Sequence, residues 1–90
     1  MVTLHVRLYS RPDCHLCESA LLMLESLRGD YDFLIEEVNI DEDPALKDRL
    51  GEQIPVVTID GGNRVAGSVN ESKLRRAFTR AKKAREANHH

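Results

Sequence analysis

The chain has 90 residues and a net charge of −2, with 41% hydrophobic and 31% charged residues. This composition is typical of one small globular domain and excludes a disordered chain. No apolar run reaches the ~20 residues of a membrane-spanning helix, and the first residues lack the basic and apolar segments of a secretory signal. We therefore expect a cytoplasmic protein without membrane association. Residues 1–85 would form the domain, and residues 86–90 a disordered tail or the remnant of an expression tag.

The first two elements are predicted to be a strand and a helix. Apolar and polar residues alternate over residues 2–9, as they do in a strand with one face toward a core. A helical pattern begins near Cys14, and Gly29 would end it as the C′ residue. The apolar stripe of this helix is predicted to be buried and consists of Cys17, Ala20, Leu21, Leu24 and Leu27.

The middle of the chain contains a second strand and a short helix. Residues 33–40 are rich in β-forming residues but include two glutamates, which is typical of an edge strand. Asp43 as N-cap and Pro44 at the first helical position then open a helix of under two turns, which ends at Gly51.

A β-hairpin is predicted next. Residues 56–59 and 64–66 form two short strands around Asp-Gly-Gly-Asn at 60–63, which is a strong turn signal. The helical connection between the first two strands requires a parallel pair, whereas the hairpin is antiparallel. The predicted fold is therefore α/β, with a four-stranded mixed sheet flanked by three helices in the order β-α-β-α-β-β-α.

The last helix would end near Arg85, and its start has two candidate caps. Ser68 and Glu71 have capping-box spacing, and Asn70 competes with Ser68 for the cap position. Apolar residues in this helix recur at helical spacing and are predicted to form a buried stripe of Leu74, Ala77, Phe78 and Ala81.

Basic residues are concentrated in the C-terminal part of the chain. Seven of the 13 lysines and arginines lie between residues 65 and 90, together with only two of the 15 acids. Such a cluster can indicate nucleic-acid binding. The buried stripe favours a different interpretation, in which the cations form the solvated face of a terminal helix and are stabilised by its C-terminal dipole. We therefore expect no nucleic-acid partner.

Cys14 and Cys17 are the only cysteines of the chain, and they lie between the first strand and the first helix. One helical turn separates their Cα atoms by about 5 Å, which is within the disulfide window. The helix N-terminus there favours a thiolate. Because closing so short a loop would stabilise the fold little, the pair indicates redox chemistry, metal binding or coincidence.

The residues around this pair resemble a known family. Tyr-Ser-Arg-Pro-Asp-Cys-His-Leu-Cys-Glu at 9–18, the order of elements and Ile-Pro-Val-Val at 54–57 are similar to glutaredoxin-like proteins of the thioredoxin fold. The resemblance covers residues 2 to about 82, and it is nearest to small glutaredoxin-like proteins with a Cys-x-Leu-Cys motif.

The resemblance implies roles for several residues. Cys14 would attack a substrate disulfide as a thiolate, and Cys17, one turn into the helix, would resolve the mixed disulfide. Pro55 would be preceded by a cis peptide bond, would face the dithiol, and would present the backbone of Ile54 to an extended substrate. His15, if cationic, would stabilise the thiolate of Cys14, and if neutral it would be a hydrogen-bonding residue of the rim.

The resemblance also bears on glutathione, which we consider as a co-substrate rather than a bound cofactor. Arg11 matches the glutaredoxin lysine that attracts a glutathione carboxylate. Leu16, however, replaces the aromatic residue between the cysteines. Gly67 and Ser68 belong to the segment that contacts the γ-glutamyl end, where Val69 and Asn70 replace a pair of aspartates.

Three functions remain open at this point. The first is a thiol-disulfide oxidoreductase that acts on protein or small-molecule disulfides. The second is a non-enzymatic redox switch or adaptor whose partner binding depends on the Cys14–Cys17 disulfide. The third, a metal site, lacks ligands, because His5 and His15 are too few and badly spaced to complete a zinc shell. We expect a monomer without a metal, whose partner is a disulfide-containing protein or a small thiol.

Overall fold

The computed structural model describes residues 3–87. Val2 and the residues from 88 onward, which include most of the predicted tail, lie outside the described residues. Four strands, three α-helices and one 3₁₀ turn occur within the described range: β1 (Leu4–Ser10), α1 (His15–Ser26), β2 (Phe33–Asn39), the 3₁₀ turn (Ile40–Glu42), α2 (Pro44–Leu50), β3 (Val56–Ile59), β4 (Gly62–Ala66) and α3 (Glu71–Ala87).

The strands form one mixed sheet in the order β2-β1-β3-β4. β1 pairs in parallel with β2 and antiparallel with β3, and β3 pairs antiparallel with β4. The predicted α/β class, the mixed sheet and the order of elements are confirmed, and β2 takes the edge position predicted for it. This order places β1, which leads into the cysteine pair, in the middle of the sheet.

The core lies on one face of the sheet, where α1 and α3 contribute their apolar stripes. Alternate β1 residues point into it, and the predicted stripe of α3 is buried throughout. The fully or almost fully buried side chains of this core include Leu4, Val6, Leu8, Leu24, Phe33, Val57, Ile59, Leu74 and Phe78. Leu21 of α1 is half-buried and packs against the edge of this cluster, so its predicted burial is only partly correct.

The end of α1 differs from its prediction. The helix ends at Ser26, and residues 27–30 form a turn in which the carbonyl of Leu27 accepts hydrogen bonds from the N–H groups of Asp30 and Tyr31, at 3.0 and 3.1 Å. Gly29 is therefore not the C′ residue, and it does not adopt the positive φ that such a cap requires. The N–H groups of Leu27 and Arg28 donate to the carbonyls of Leu24 and Glu25, three residues back, so the last turn tightens and the helix ends before Gly29 is reached.

The other element ends follow local signals more closely. Asp43 caps α2 by accepting from the N–H of Ala45 at 3.0 Å, and Pro44 opens the helix, as predicted. β2 ends one residue early because Ile40, which is fully buried, begins the 3₁₀ turn instead. α3 continues two residues beyond its predicted end and so includes Glu86 and Ala87 of the predicted tail.

Candidate active site

Cys14 and Cys17 occupy the first turn of α1 and are joined by a disulfide. Asp13 turns the chain with a positive φ of 59°, and Cys14 follows in an extended conformation as the N-cap of the helix. The Cys14 Sγ accepts a hydrogen bond from the N–H of Cys17 at 3.2 Å, and the two Cα atoms are 5.2 Å apart. The predicted spacing is confirmed, and the sulfur of Cys14 lies against the positive end of the helix.

The two sulfurs differ in exposure. Cys14 is half-buried, whereas Cys17 is only 3% exposed and belongs to the buried face of α1. Cys14 is therefore the more accessible of the two cysteines. The predicted burial of Cys17 is confirmed.

The residues between the cysteines face solvent. The side chain of His15 is 98% exposed, and its Nδ1 lies 3.8 Å from Oε2 of Glu18. Leu16 is 67% exposed, although it is a large apolar residue. The rim next to Cys14 thus presents a titratable ring and an apolar side chain to whatever approaches the disulfide.

The register of the sheet brings the other predicted residues to the same edge. Tyr9 at the end of β1 pairs with Val56 at the start of β3, and Val56 pairs with Ala66 at the end of β4. The loop that carries Cys14 therefore emerges beside the segment that precedes Val56 and beside the segment that follows Ala66.

Ile54, Pro55 and Gly67 form the neighbouring part of this edge. The Ile54–Pro55 peptide bond is cis, which confirms the expectation drawn from the resemblance. Gly67 has a φ of +69°, a conformation that favours glycine. Its N–H lies 3.0 Å from the carbonyl oxygens of both Gln53 and Pro55, so Gly67 holds the start of β3 in place.

Ser68 does not cap α3. The N–H of Lys73 donates to Oδ1 of Asn70 at 2.9 Å, so Asn70 is the side-chain cap, and the capping-box alternative is wrong. Ser68 is exposed, and its carbonyl oxygen accepts from Nζ of Lys73 at 3.0 Å. Asn70 takes the position because it directly precedes the first helical residue.

Arg11 is held by Asp41, which lies outside the predicted set of site residues. Its Nη2 donates to Oδ1 of Asp41 at 3.1 Å, and both side chains are about one-third exposed. The Nε of Arg11 is buried and has no hydrogen-bond partner among residues 3–87. The parallel pairing of β1 and β2 brings Arg11 and Asp41 together. Ser10 lies opposite Asn39, so the residues that follow the two strands are close in space.

Two further properties of the described residues concern the predicted partners. No group of three or more His, Cys, Asp and Glu side chains within residues 3–87 is arranged to hold a metal ion. None of the helices in the same range is long and apolar enough to cross a membrane.

The family follows from comparison with known domains. Residues 5–79 match the model of the glutaredoxin-like domain (DUF836). The chain belongs to this glutaredoxin-like family. A search of curated proteins finds no match.

Solved structures support the fold of this glutaredoxin-like protein. It is 33% identical to a structural-genomics target protein from X. campestris, with a TM-score of 0.70 over 84% of this chain and 97% of the other. A mutant thioredoxin from Halobacterium salinarum is 20% identical, with a TM-score of 0.67 over 87% and 74% of the two chains. Thioredoxin 1 of Thermosipho africanus is 19% identical, with a TM-score of 0.65 over 91% and 98%. These two likenesses show a thioredoxin-like fold.

Proposed function

We propose that this protein is a thiol-disulfide oxidoreductase in which Cys14 is the nucleophile and Cys17 the resolving thiol. The unequal exposure of two cysteines that share one helical turn carries the proposal, because only Cys14 is accessible to a substrate. The N–H of Cys17, which donates to Sγ of Cys14 at 3.2 Å, supports it further. A hydrogen bond from this donor stabilises a thiolate more than a thiol and so favours the reactive form.

The reaction consists of two exchanges at sulfur. The thiolate of Cys14 attacks one sulfur of a substrate disulfide, a bond forms between these two sulfurs, and the other substrate sulfur leaves as a thiolate that takes a proton from solvent. Cys17 then loses its proton and attacks Sγ of Cys14. This forms the Cys14–Cys17 disulfide and releases the second substrate thiol. Two electrons pass from the protein to the substrate, and an external thiol must restore them.

The substrate would lie along the rim that His15, Leu16, Ile54 and Gly67 form beside Cys14. Leu16 offers an apolar contact, and His15 offers a ring that can donate a hydrogen bond or carry charge. Ile54 is half-buried and its N–H already donates to the carbonyl of Leu50 at 3.2 Å, so its carbonyl is the backbone group that an extended chain would meet. Gly67 borders the same edge without a side chain that would obstruct it.

Turnover tests the proposal. The reduced protein should reduce hydroxyethyl disulfide or insulin through many cycles when a thiol supply is present. Cys14→Ser should abolish the activity, and Cys17→Ser should accumulate a mixed disulfide with the substrate that intact-mass spectrometry detects. Oxidation of the protein in a single stoichiometric step, without cycles, would refute the enzyme and support the switch or adaptor.

Glutathione is a candidate reductant, and the Arg11–Asp41 pair bears on its use. Because Asp41 already neutralises the guanidinium of Arg11, a glutathione carboxylate would have to compete for it. We expect Asp41→Asn to speed reduction of the disulfide by glutathione about two- to fivefold relative to an uncharged thiol, which corresponds to the ~0.4–1 kcal/mol of a surface ion pair. Glu42→Gln is the matched control, because Glu42 is exposed and does not contact Arg11. An equal change in both variants would refute the role of Asp41.

A further inference from the structure

A groove lined by basic residues runs between β4 and α3. It has a volume of about 300 Å³. Its floor includes the small residue Ala77, and its lining contains no carboxylate and four basic residues: Lys73, Arg76 and Arg80 from α3, and Arg64 from β4, whose guanidinium hydrogen-bonds Gln53. The three α3 cations are spaced i, i+3 and i+7, so they project from one face of the helix.

These cations differ from Arg75 and Arg85 of the same helix. Arg75 pairs with Asp30 and Glu71, and Arg85 pairs with Asp60. Among residues 3–87, by contrast, no carboxylate lies within 4 Å of the basic groups that line the groove. The fold therefore neutralises Arg75 and Arg85 but leaves the groove positive, and it likewise provides no ion pair within residues 3–87 for Lys82 and Lys83 near the end of the helix.

The helix dipole does not account for this arrangement. Lys73 and Arg76 lie in the first two turns of α3, near the end of the helix that disfavours positive charge. Arg76 and Arg80 are also four residues apart, and like charges at that spacing destabilise a helix. Stabilisation by the C-terminal dipole, which was expected for all these cations, therefore applies only to those near the end of α3.

The groove opens beside the candidate active site. Ala66 lines it, and the next residue, Gly67, donates its N–H to the carbonyl of Pro55. Arg64 hydrogen-bonds the side chain of Gln53, which lies one residue before Ile54. Arg64 and Ala66 therefore connect the groove with the segment that contains Ile54.

We propose that the groove binds an acidic polypeptide segment next to the disulfide of the protein substrate. The inference rests on the proposed function, and it restricts the substrates of the dithiol to proteins with a cluster of acidic residues near the reactive disulfide. The four cations form no ion pair within residues 3–87, so they are complementary to such a segment, and they would speed its encounter with Cys14 by electrostatic attraction.

The test uses two synthetic peptides that share one intramolecular disulfide. One continues as a run of glutamates, and its twin continues as glutamines. The reduced full-length protein should react about tenfold faster with the glutamate peptide, which is the low end of electrostatic steering. The ratio of the two rates should fall toward one in 1 M salt, where the Debye length is about 3 Å, and in Arg76→Gln/Arg80→Gln. It should persist in Lys47→Gln/Arg49→Gln, which removes the same charge from exposed positions on α2.

Each outcome decides one of the two proposals. Equal rates with both peptides would overturn the groove but leave the oxidoreductase intact. No reaction with either peptide would count against the oxidoreductase. In that case, fluorescence anisotropy with labelled glutamate peptide would test binding to the groove separately. Binding that is lost in Arg76→Gln/Arg80→Gln would support the groove, and absence of binding to the unmodified protein would overturn it. A single-stranded oligonucleotide that displaces the peptide at lower concentration would overturn the acidic polypeptide in favour of nucleic acid.

Discussion

Asp60 joins three parts of the fold that are distant in sequence, and its neutralisation should measurably destabilise the protein. Its carboxylate accepts from the N–H of His5 at 2.9 Å and from Nε and Nη2 of Arg85 at 2.7 and 2.9 Å. The Asp60 side chain is 18% exposed, and its φ is +56°. Asparagine tolerates that backbone conformation as well as aspartate does. Asp60→Asn therefore removes the charge with little change in shape.

The size of the effect follows from these contacts. Hydrogen bonds to charged groups contribute about 1.5–3 kcal/mol, whereas exposed ion pairs contribute about 0–1 kcal/mol. Asp60 lies between these cases, because its carboxylate is mostly buried while Arg85 approaches from solvent. The asparagine also keeps one oxygen that can accept from His5. We expect Asp60→Asn to lower the free energy of unfolding by about 1–2 kcal/mol at neutral pH.

The effect should depend on pH. The hydrogen bonds from Arg85 hold the pKa of the Asp60 carboxyl below its usual range, and the N–H of His5 lowers it further, although burial acts in the opposite direction. A carboxyl whose pKa is depressed by folding stabilises the fold above its unfolded-state pKa of about 3.9. That stabilisation is lost as the pH falls through the lower folded-state pKa. The difference between the two proteins should therefore be full at neutral pH and shrink below about pH 4.

Urea unfolding followed by circular dichroism, from neutral pH down to about pH 3, measures this difference. Asp48→Asn is the matched control, because Asp48 is exposed and forms no side-chain ion pair within the described residues. It should change the stability by less than about 0.5 kcal/mol. A destabilisation of Asp60→Asn that stays constant across the whole pH range, or that is no larger than that of the control, would refute the electrostatic reasoning.

Three further predictions, two of them with a matched control, use the same unfolding assay. Gly67→Ala should lower the free energy of unfolding by about 1–2 kcal/mol because the φ of Gly67 is positive. Gly29→Ala, where the glycine has open space around it and no positive φ, should leave the stability unchanged or raise it by up to about 1 kcal/mol. Equal losses in the two variants would contradict this reasoning. Asn70→Ala should lower the free energy of unfolding by about 0.5–2 kcal/mol through loss of the cap, and Ser68→Ala by less than about 0.5 kcal/mol. A larger loss in Ser68→Ala than in Asn70→Ala would support Ser68 as the cap. Leu24→Ala, in a fully buried position of α1, should cost about 2–5 kcal/mol, and a loss under 1 kcal/mol would show that the core is not packed as described.

Much of the fold could be predicted because its signals are local. Alternation in β1 and the apolar stripe of α3 each reflect a repeat over a few residues, and the structure buries the residues that these repeats select. Asp43 and Pro44 specify the start of α2 through contacts within three residues. The cysteine spacing likewise determines a pair one helical turn apart, wherever the helix lies.

Predictions failed where a local signal competed with a contact from elsewhere in the fold. Gly29 is a suitable C′ residue by type, but the backbone leaves the α-helical hydrogen-bond pattern at Leu27. Ile40 has strong β-propensity, yet it turns into the core and ends β2. For Ile40, burial of the large side chain favours the 3₁₀ turn over a longer strand.

The sequence by itself determined the order of elements, the position of the cysteine pair at a helix start and the family to which these belong. Only the tertiary structure decided that Cys17 is inaccessible while Cys14 is not, that Asp41 holds Arg11, and that Arg64 of β4 joins the unpaired cations of α3 in one groove. The physical reason is distance along the chain. Helices, turns and caps arise between residues a few positions apart, whereas the Arg11–Asp41 pair and the groove depend on strand order and register, which bring together residues from different elements.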